Sequence, residues 1–239
     1  MVPSGTKTAN LLNTMSDETI HIAIIPDGNR RWAKGHKLHP WDGHKKALKN
    51  FHTLTEWCDN DSRVSVLTIW CFSTENWKRD KKEIDMLMQL LEKYLTNEKD
   101  QLMEKGTRLI HSGRKDRIPE SLAKLIGKIE EESKGNTGLK LHLALDYGGC
   151  DEVVRAIQRM ENIKDATEES VREHLDHPEL PDIDLVVRTS SEKRTSNFFL
   201  WQAAYSEWAF VDKKFPEFTA NDLAKEVNTF AERSRRFGG

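Results

Sequence analysis

The stretch Val64-Ser65-Val66-Leu67-Thr68-Ile69-Trp70-Cys71-Phe72 is a nearly continuous apolar run without alternation of apolar and polar positions. A strand of this kind is buried on both faces, as strands are in a parallel sheet that helices cover on both sides. The stretch therefore predicts a strand of a parallel α/β sheet.

Other apolar segments predict further strands, and helical periodicity fills most of the chain between them. The strands are expected at 21–26, 64–72, 107–112, 139–146 and 184–188. The helices are expected at 43–58, 81–104, 119–133, 151–161, 168–176, 197–206 and 220–236. This alternation predicts an α/β fold, a single domain with a mostly parallel central sheet flanked by helices.

The predicted helix 81–104 carries an apolar stripe at helical spacing. Its members are Ile84, Leu87, Met88, Leu91, Leu95, Leu102 and Met103. Core packing is the first interpretation of such a stripe, and the wall of an apolar tunnel is the second. The periodicity fits both interpretations equally well.

Length and charge restrict the classes of protein to which the chain can belong. The 239 residues are 37% apolar and 32% charged, which is typical of one soluble globular domain. The net charge of -2 gives no general basic field, so we expect no nucleic-acid binding. Cys58, Cys71 and Cys150 lack the spacing of metal ligands and are expected to be reduced thiols.

The first residues of the chain do not read as a targeting segment. Residues 1–18 lack the hydrophobic centre of a signal peptide, and no run of 18 apolar residues occurs in the sequence. We expect a flexible polar leader at 1–18, a single catalytic domain at 19–239 and a cytoplasmic location.

A polar loop follows the first predicted strand and reads Pro26-Asp27-Gly28-Asn29-Arg30-Arg31-Trp32. The glycine lets backbone amides approach phosphate oxygens, the arginines offer forked donors, and the aspartate can hold a divalent cation. An ordinary turn followed by two solvated arginines is the alternative interpretation.

Two further arginine-bearing loops favour the phosphate interpretation. Ser73-Thr74-Glu75-Asn76-Trp77-Lys78-Arg79 follows the second strand, and Arg188-Thr189-Ser190-Ser191-Glu192-Lys193-Arg194 follows the fifth. Loops at the carboxyl ends of parallel strands meet at one edge of the sheet. The three loops together predict a site for a metal-bound diphosphate.

These loops belong to a longer series of blocks, whose order and spacing resemble those of one known family. The blocks are Asp27-Gly28-Asn29 with Arg31-Trp32, Gly43-His44, Phe72 to Arg79, Tyr147-Gly148-Gly149, Arg188-Thr189-Ser190 with Glu192 and Arg194, Ser196-Asn197-Phe198, Trp201-Gln202, Glu207 and Arg235 to Gly239. Over nearly its whole length the chain resembles the cis-prenyltransferases, the family of undecaprenyl diphosphate synthase and dehydrodolichyl diphosphate synthase.

The resemblance implies a transferase that joins isopentenyl diphosphate to an allylic diphosphate primer with Z geometry and makes a polyprenyl diphosphate. It implies an α/β fold rather than the all-α fold of the trans-prenyltransferases, whose aspartate-rich box is missing from this sequence. It also implies Mg2+ as cofactor, a homodimer that the segment Arg236-Phe237-Gly238 helps to complete, and peripheral contact with the membrane that receives the product.

The resemblance also implies a set of site residues. Asp27 and Asn76 are the expected catalytic residues, and Asp27 and Glu207 the expected metal ligands. Substrate contacts are expected at Gly28, Asn29, Arg30, Arg31, Trp32, His44, Ser73, Thr74, Glu75, Trp77, Arg79, Arg188, Arg194, Thr195 and Ser196.

The roles of some of these residues stay open at this point. An amide is a poor base, so Asn76 is either a relay or an orienting group, with the departing diphosphate or a water as the final proton acceptor. Phe72, Trp32 and Trp77 either shield a cationic centre from water or simply pack.

Departures from the common bacterial pattern bear on substrate choice and lineage. The double arginine Arg30-Arg31 is similar to archaeal and eukaryotic members, Pro40 stands where many bacterial members have an arginine, and Ser191 replaces a frequent glycine. The alternatives are a short-chain or irregular prenyl-coupling enzyme on the same fold and a non-catalytic scaffold subunit. Glu75, Asn76 and Glu192 argue against the coupling enzyme, and Asp27 argues against the scaffold subunit.

Overall fold

Six strands form one parallel sheet in the computed structural model, which describes residues 19–233. They are β1 (Ile20–Ile25), β2 (Val64–Ser73), β3 (Arg108–Ser112), β4 (Lys140–Tyr147), β5 (Leu185–Thr189) and β6 (Glu207–Val211). Their order across the sheet is β3-β4-β2-β1-β5-β6. The predicted leader at 1–18 and the terminal segment 235–239 lie outside the described residues.

Seven α-helices connect these strands within the same range. They are α1 (Asn29–Gly35), α2 (Pro40–Asn60), α3 (Lys81–Glu104), α4 (Glu120–Ser133), α5 (Gly149–Arg159), α6 (Glu168–Glu173) and α7 (Ala220–Glu232). Three 3-10 turns lie at Thr74–Lys78, Ile163–Asp165 and Phe215–Glu217. The predicted parallel α/β fold is therefore confirmed. None of the helices in residues 19–233 has the length and apolar content needed to cross a bilayer.

Alternate residues of β1 face two different cores. Ile22 and Ile24 belong to a large core that also takes in residues of α2, α3, α4 and α7. Ala23 and Ile25 face a smaller core that includes Phe198. Helices and loops thus cover the sheet on both sides, which explains why the strands read as continuous apolar runs.

The apolar stripe of α3 fills most of the contact between this helix and the large core. Leu95 is 1% exposed and Met88 is 2% exposed. Leu87 and Leu91 are also buried, but they line a small cleft between α3 and α2 as well. Leu95 and Met88 therefore pack in the core, whereas Leu87 and Leu91 both pack in the core and line the cleft.

The predicted helix at 197–206 is wrong, because the structure has turns there and a short edge strand after them. Ser196, Asn197 and Phe199 have positive φ angles of 54°, 66° and 27°. L-residues in this left-handed region cannot continue an α-helix. The segment Glu207–Val211, which the sequence analysis did not assign, forms β6 beside β5.

The interpretation of Pro26 to Trp32 as a loop is also corrected. Only the first part is a turn, because Gly28 caps α1 and the helix begins at Asn29. The other predicted helices differ from the observed ones at their ends by a few residues. Helix 81–104 has the predicted bounds.

A chain of buried hydrogen bonds crosses four strands of the sheet. His21 Nε2 lies 2.6 Å from Thr68 Oγ1, which lies 2.9 Å from His142 Nδ1, and His142 Nε2 lies 2.7 Å from Ser112 Oγ. Burial lowers the pKa of His21 to about 4 and lowers the pKa of His142 well below its usual value. Both rings are therefore neutral at pH 7, and their protonation at low pH would place positive charges in the core.

His111, on the neighbouring strand β3, offers a test of this acid sensitivity. Its Nε2 lies 3.1 Å from the Leu145 carbonyl oxygen, and burial lowers its pKa to about 4 from 6.5. Between these two values the unfolded chain binds more protons than the folded protein. Each such group therefore costs about 1.4 kcal/mol of stability for every pH unit by which the pH falls through this window.

His111→Gln is expected to reduce this loss, because the glutamine amide can still donate to Leu145 but does not titrate. Urea titrations at about pH 7.5 and about pH 5 measure the change in the free energy of unfolding. That change should be smaller by about 2 kcal/mol in the variant than in the wild type. Equal changes in the two proteins would contradict the prediction.

Candidate active site

The loops after β1, β2, β4 and β5 meet at the carboxyl edge of the sheet, as expected for parallel strands. Asp27, which follows β1, contacts Arg188 of β5. Glu75, which follows β2, contacts Asn197 in the loop after β5. The backbone N–H of Gly149, after β4, donates to the carbonyl of Asn197.

Asp27 lies at the centre of this edge and is held from three directions. Arg188 Nη2 donates to its Oδ2 at 2.9 Å, while the Gly28 N–H at 2.6 Å and Arg31 Nη2 at 3.3 Å donate to its Oδ1. Partial burial raises the pKa of Asp27, but the hydrogen bonds from Arg188 and Gly28 outweigh this effect. Its pKa therefore lies below the usual value, and the carboxylate is ionised at neutral pH.

Gly28 occupies a position that no other residue fits. Its φ is +93°, and a Cβ there would lie 2.6 Å from Ser190 Oγ. The glycine thus allows the chain to turn tightly from β1 into α1 against the β5 loop. This turn places Asp27, Arg30 and Arg31 at the carboxyl edge of the sheet.

A cleft of about 780 Å3 opens on one side of Asp27, and we call it the first cleft. Its walls carry many cationic side chains. The lining residues include Asn29, Arg30, Arg31, Lys34, Lys37, His44, Arg79, Glu192 and Arg194. Glu192 ties two of them together, since its carboxylate accepts from Arg31 Nη1 at 2.8 Å and from Arg194.

The buried carboxylate of Glu83 stands behind this cleft, and the sequence analysis missed it. Its oxygens lie 3.5 Å from Arg30 Nε, 3.4 Å from Arg79 Nη1 and 3.6 Å from His44 Nε2. The contact with His44 and the charges of the two arginines lower the pKa of Glu83. An acid in the first turn of a helix is common, so only the fold reveals that this one faces three basic side chains.

A second cleft of about 600 Å3 lies on the other side of Asp27. Arg188 forms part of its wall and is 3% exposed. Arg188 Nη1 donates to Ser196 Oγ at 2.8 Å and to the carbonyl of Arg194. Arg188 therefore joins the β1 loop, through Asp27, to the loop that follows β5.

Asn76 enters the second cleft from a 3-10 turn whose start is fixed by side chains. The Ser73 N–H donates to Asn76 Oδ1 at 3.2 Å, and the Glu75 N–H donates to Ser73 Oγ at 3.1 Å. Ser73 Oγ also donates to the Glu75 carboxylate. The Asn76 side chain thus has one defined orientation, as an orienting group requires.

A third, apolar cleft of about 50 Å3 begins where the two charged clefts meet. Phe51 of α2, Leu87 and Leu91 of α3 and Ile69 of β2 form its walls. His44, Pro26 and Asn29 line all three clefts. A molecule with an anionic head and an apolar tail matches this combination.

Three buried polar atoms around these clefts have no hydrogen-bond partner within residues 19–233. They are Asn29 Oδ1, Arg188 Nε and His44 Nε2, the last of which faces only the Glu83 carboxylate, at 3.6 Å. A buried polar atom without a partner is costly, so such atoms often meet a ligand, an ion or water. Their position at the clefts fits a polar ligand.

The structure brings most of the predicted site residues together. Those that line the first or the second cleft are Asp27, Gly28, Asn29, Arg30, Arg31, His44, Ser73, Glu75, Asn76, Arg79, Arg188, Arg194 and Ser196. Trp32, Thr74, Trp77 and Thr195 line neither.

The two tryptophans lie elsewhere because each has its own packing partner. Trp32 stacks on His36 with 4.3 Å between ring centroids. The Trp77 indole N–H donates to Asp146 Oδ1 at 2.8 Å, and its ring meets Phe72 edge to face. Of the two roles left open for these aromatics, packing describes Trp32 and Trp77, whereas Phe72 also lines the second cleft.

Within one chain, Glu207 lies at the opposite end of the sheet from Asp27, and the expectation that Glu207 is a metal ligand stays a prediction. Glu207 opens β6 and pairs with Leu185 at the amino end of β5, whereas Asp27 lies beside Thr189 at the carboxyl end. Arg233 Nη1 donates to the Glu207 carboxylate at 2.8 Å. Across residues 19–233, no group of three His, Cys, Asp or Glu side chains is placed to hold a metal ion.

Known proteins of similar sequence indicate the family to which this chain belongs. A family model described as "Putative undecaprenyl diphosphate synthase" matches residues 25–238. An "Isoprenyl transferase" of Rhodopirellula baltica is 41% identical over 227 residues, which cover 92% of this chain and 93% of that protein.

Two solved structures share the fold. Lavandulyl diphosphate synthase from Lavandula x intermedia, solved in complex with dimethylallyl diphosphate, has a TM-score of 0.88 and 32% identity. A probable undecaprenyl diphosphate synthase from Campylobacter jejuni has a TM-score of 0.79 and 34% identity. In both cases the match covers 93% of this chain and 99% of the other. The chain therefore belongs to the undecaprenyl diphosphate synthase family of cis-prenyltransferases.

Proposed function

We propose that this chain condenses isopentenyl diphosphate with an allylic diphosphate, with Z geometry, and releases a polyprenyl diphosphate. The observation that carries the proposal is the meeting of two charged clefts and one apolar cleft at Pro26, Asn29 and His44. Two diphosphate groups and the beginning of one hydrocarbon tail match this arrangement.

The charged clefts suit the two diphosphates differently. Both charged clefts adjoin the apolar cleft, but Arg30 and Arg31 line only the first. We assign the allylic diphosphate to the first cleft, because the family resemblance places that group with His44 and the loop that carries these arginines. The second cleft holds Arg188 and Ser196, and we assign to it the isopentenyl diphosphate. Forked guanidinium groups bind diphosphate oxygens with defined geometry, which orients the two substrates toward each other.

The residues at Asp27 fit Mg2+. This ion is commonly bound by one or two carboxylates together with substrate phosphates and water. Asp27 is ionised, its side chain is 29% exposed, and it lines both charged clefts. Bound there, the ion would offset the charge that develops on the departing diphosphate.

The chain's own residues then perform three tasks. Arg31 and His44 stabilise the leaving diphosphate, Arg188 and Ser196 hold the attacking substrate, and Asn76 orients the reacting groups. The proton that leaves the isopentenyl unit goes to the departing diphosphate or to water, because the Asn76 amide is a poor base.

The alternatives to chain elongation are not favoured. A scaffold subunit does not need the Asp27 carboxylate between two arginine-lined clefts. An irregular coupling enzyme would join two allylic diphosphates, whereas the curated relative at 41% identity is named an isoprenyl transferase.

The decisive experiment incubates the purified chain with labelled isopentenyl diphosphate, Mg2+ and primers of increasing length. Product size and double-bond geometry are then measured. We expect Z additions to farnesyl or geranylgeranyl diphosphate that stop when EDTA removes the metal. All-E products, or coupling of two primers without isopentenyl diphosphate, would contradict the proposal.

We further propose a homodimer that works in the cytoplasm and touches the membrane only peripherally. β6 is an edge strand, and Tyr205 beside it is 85% exposed, while Phe210 within it is 37% exposed. Exposed aromatic residues on a sheet edge are suited to a protein partner. Light scattering of the purified chain should give twice the 27.6 kDa of one copy. A monomer that is fully active would overturn this part of the proposal.

A further inference from the structure

The loop that follows β5 contains five residues in a left-handed backbone conformation. Ser190, Ser191, Ser196, Asn197 and Phe199 have positive φ angles of 75°, 60°, 54°, 66° and 27°. Residues other than glycine keep this conformation only where their surroundings hold them in it, often at functional sites. Some contact must therefore fix this loop, which carries Arg194 and Ser196 into the second cleft.

Asn197 makes contacts that can do so. Its carbonyl accepts from the Gly149 N–H at 2.7 Å, and its Oδ1 accepts from the Cys150 N–H at 2.7 Å. Its Nδ2 donates to Glu75 Oε1 at 2.9 Å. One asparagine thus joins the loops after β2, β4 and β5.

These loops also approach each other too closely to leave room for a side chain at residue 148. A Cβ at Gly148 would lie 2.5 Å from Thr74 Oγ1 and 2.8 Å from Asn197 Nδ2. The glycine leaves room for the Asn197 amide to reach Glu75.

The contact with Glu75 continues toward the reacting groups. Glu75 receives a second hydrogen bond from Ser73 Oγ, and the Ser73 N–H holds Asn76. Partial burial raises the pKa of Glu75, but the hydrogen bonds from Ser73 and Asn197 outweigh it and lower that pKa. A line of hydrogen bonds therefore runs from Asn197 through Glu75 and Ser73 to Asn76.

We propose that Asn197 is a positioning residue that fixes Ser196 in the second cleft on one side and Asn76 on the other. It lines this cleft, but its side-chain amide is used by the protein itself. The inference rests on the proposed function, because it assigns the second cleft to isopentenyl diphosphate.

The test exchanges the donor and the acceptor of the Asn197–Glu75 hydrogen bond, in which Asn197 donates. Asn197→Asp keeps the oxygen that accepts from Cys150 but places a carboxylate against Glu75. Adding Glu75→Gln restores a donor and an acceptor, because the new amide can donate to residue 197 while its oxygen accepts from Ser73. Asn228→Asp is the matched control. Asn228 lies on the surface of α7, and its side-chain oxygen accepts a hydrogen bond from Arg63.

We expect Asn197→Asp to lower kcat/KM for isopentenyl diphosphate by at least about tenfold in the wild type. In the Glu75→Gln background the same change should cost less than about twofold; this background is the reference for the double variant because Glu75 itself lines the second cleft. KM for the allylic primer should change less than twofold, because the first cleft does not include residue 197. Asn228→Asp should match the wild type. Activity of Asn197→Asp close to wild type, or a folded double variant that is at least about tenfold less active than Glu75→Gln alone, would overturn the inference.

Hydrogen exchange separates this inference from the proposed function. In Asn197→Asp the amides of residues 73–79 should exchange faster, while those of Gly149 and Cys150 stay protected, because their acceptors remain. Uniformly faster exchange would instead show general unfolding and overturn the inference. If Asn197→Asp does not fold, a double variant that folds and is as active as Glu75→Gln alone supports the inference, and a double variant that is unfolded or less active than Glu75→Gln rejects it. A wild type that makes no Z product would refute the proposed function, while the exchange pattern would still test the hydrogen bond.

Discussion

Asp27→Ala is expected to lower kcat/KM by about 1,000-fold or more, the largest effect of any single substitution in this chain. The carboxylate is ionised, it faces both charged clefts, and it is the proposed ligand of Mg2+. Its removal also leaves the guanidinium of Arg188 buried without a carboxylate partner. The first loss acts on the departure of the allylic diphosphate, and the second acts on the binding of isopentenyl diphosphate, which Arg188 is proposed to hold.

Asp27→Asn separates these causes, because the amide keeps the shape and one acceptor for Arg188 but loses the charge. We expect this variant to be nearly as inactive as Asp27→Ala while its thermal unfolding stays closer to that of the wild type. Asp85→Asn is the matched control, since Asp85 pairs with Lys81 on the exposed face of α3. Titration with Mg2+ should show that added metal does not restore Asp27→Asn. An Asp27→Asn enzyme with normal activity would rule out the proposed role of this carboxylate.

The sequence predicts the central strands that position this site better than it predicts the edge strand and the place of individual side chains. Continuous apolar runs such as Val64 to Phe72 identify parallel strands, and parallel strands bring their carboxyl-end loops together. β6 was missed because its apolar run, Trp208 to Val211, is only four residues long and directly follows a segment that was assigned to a helix. That error placed Glu207 after a helix, whereas it opens a strand at the opposite edge from Asp27.

Side-chain contacts between residues that are distant in sequence could not be predicted from the sequence either. Glu83 looks like an ordinary acid in the first turn of a helix until α2 and α1 bring His44 and Arg30 against it. Trp77 stands between two predicted site residues, yet Asp146 binds its indole N–H. Contacts of this kind join residues that are distant in sequence, and local pattern carries no information about them.

The fold places two departures from the common family pattern, Pro40 and Arg30, in the same cleft. Pro40 begins α2 and lines the first cleft, where it supplies no charge. Arg30 lines the same cleft from α1, and Glu83 holds its guanidinium. The first cleft thus carries a cationic group on α1 where α2 offers none at residue 40.

Arg188→Lys is expected to raise KM for isopentenyl diphosphate by about 100-fold, although the positive charge is kept. The buried guanidinium contacts Asp27, Ser196 and the Arg194 carbonyl at once, and its Nε has no partner within residues 19–233. A lysine ammonium is a point charge on a flexible stem, so it cannot reproduce this planar fork. Two lost charge-assisted hydrogen bonds account for about 3 kcal/mol, which corresponds to the expected change in KM.

The pH dependence of the variant distinguishes a lost fork from a general loss of structure. Because the hydrogen bond from Arg188 lowers the pKa of Asp27, weakening it raises that pKa. Activity that requires the ionised carboxylate is lost as the pH falls through this pKa, so the acid limb of kcat/KM should move to higher pH.

Arg172→Lys is the matched control for this change, since Arg172 also binds a carboxylate and a carbonyl, Asp182 and Leu180, but lies away from the clefts. It should leave KM and the acid limb unchanged. An unshifted acid limb in Arg188→Lys, together with an unchanged KM, would show that Arg188 neither sets the ionisation of Asp27 nor holds the second substrate.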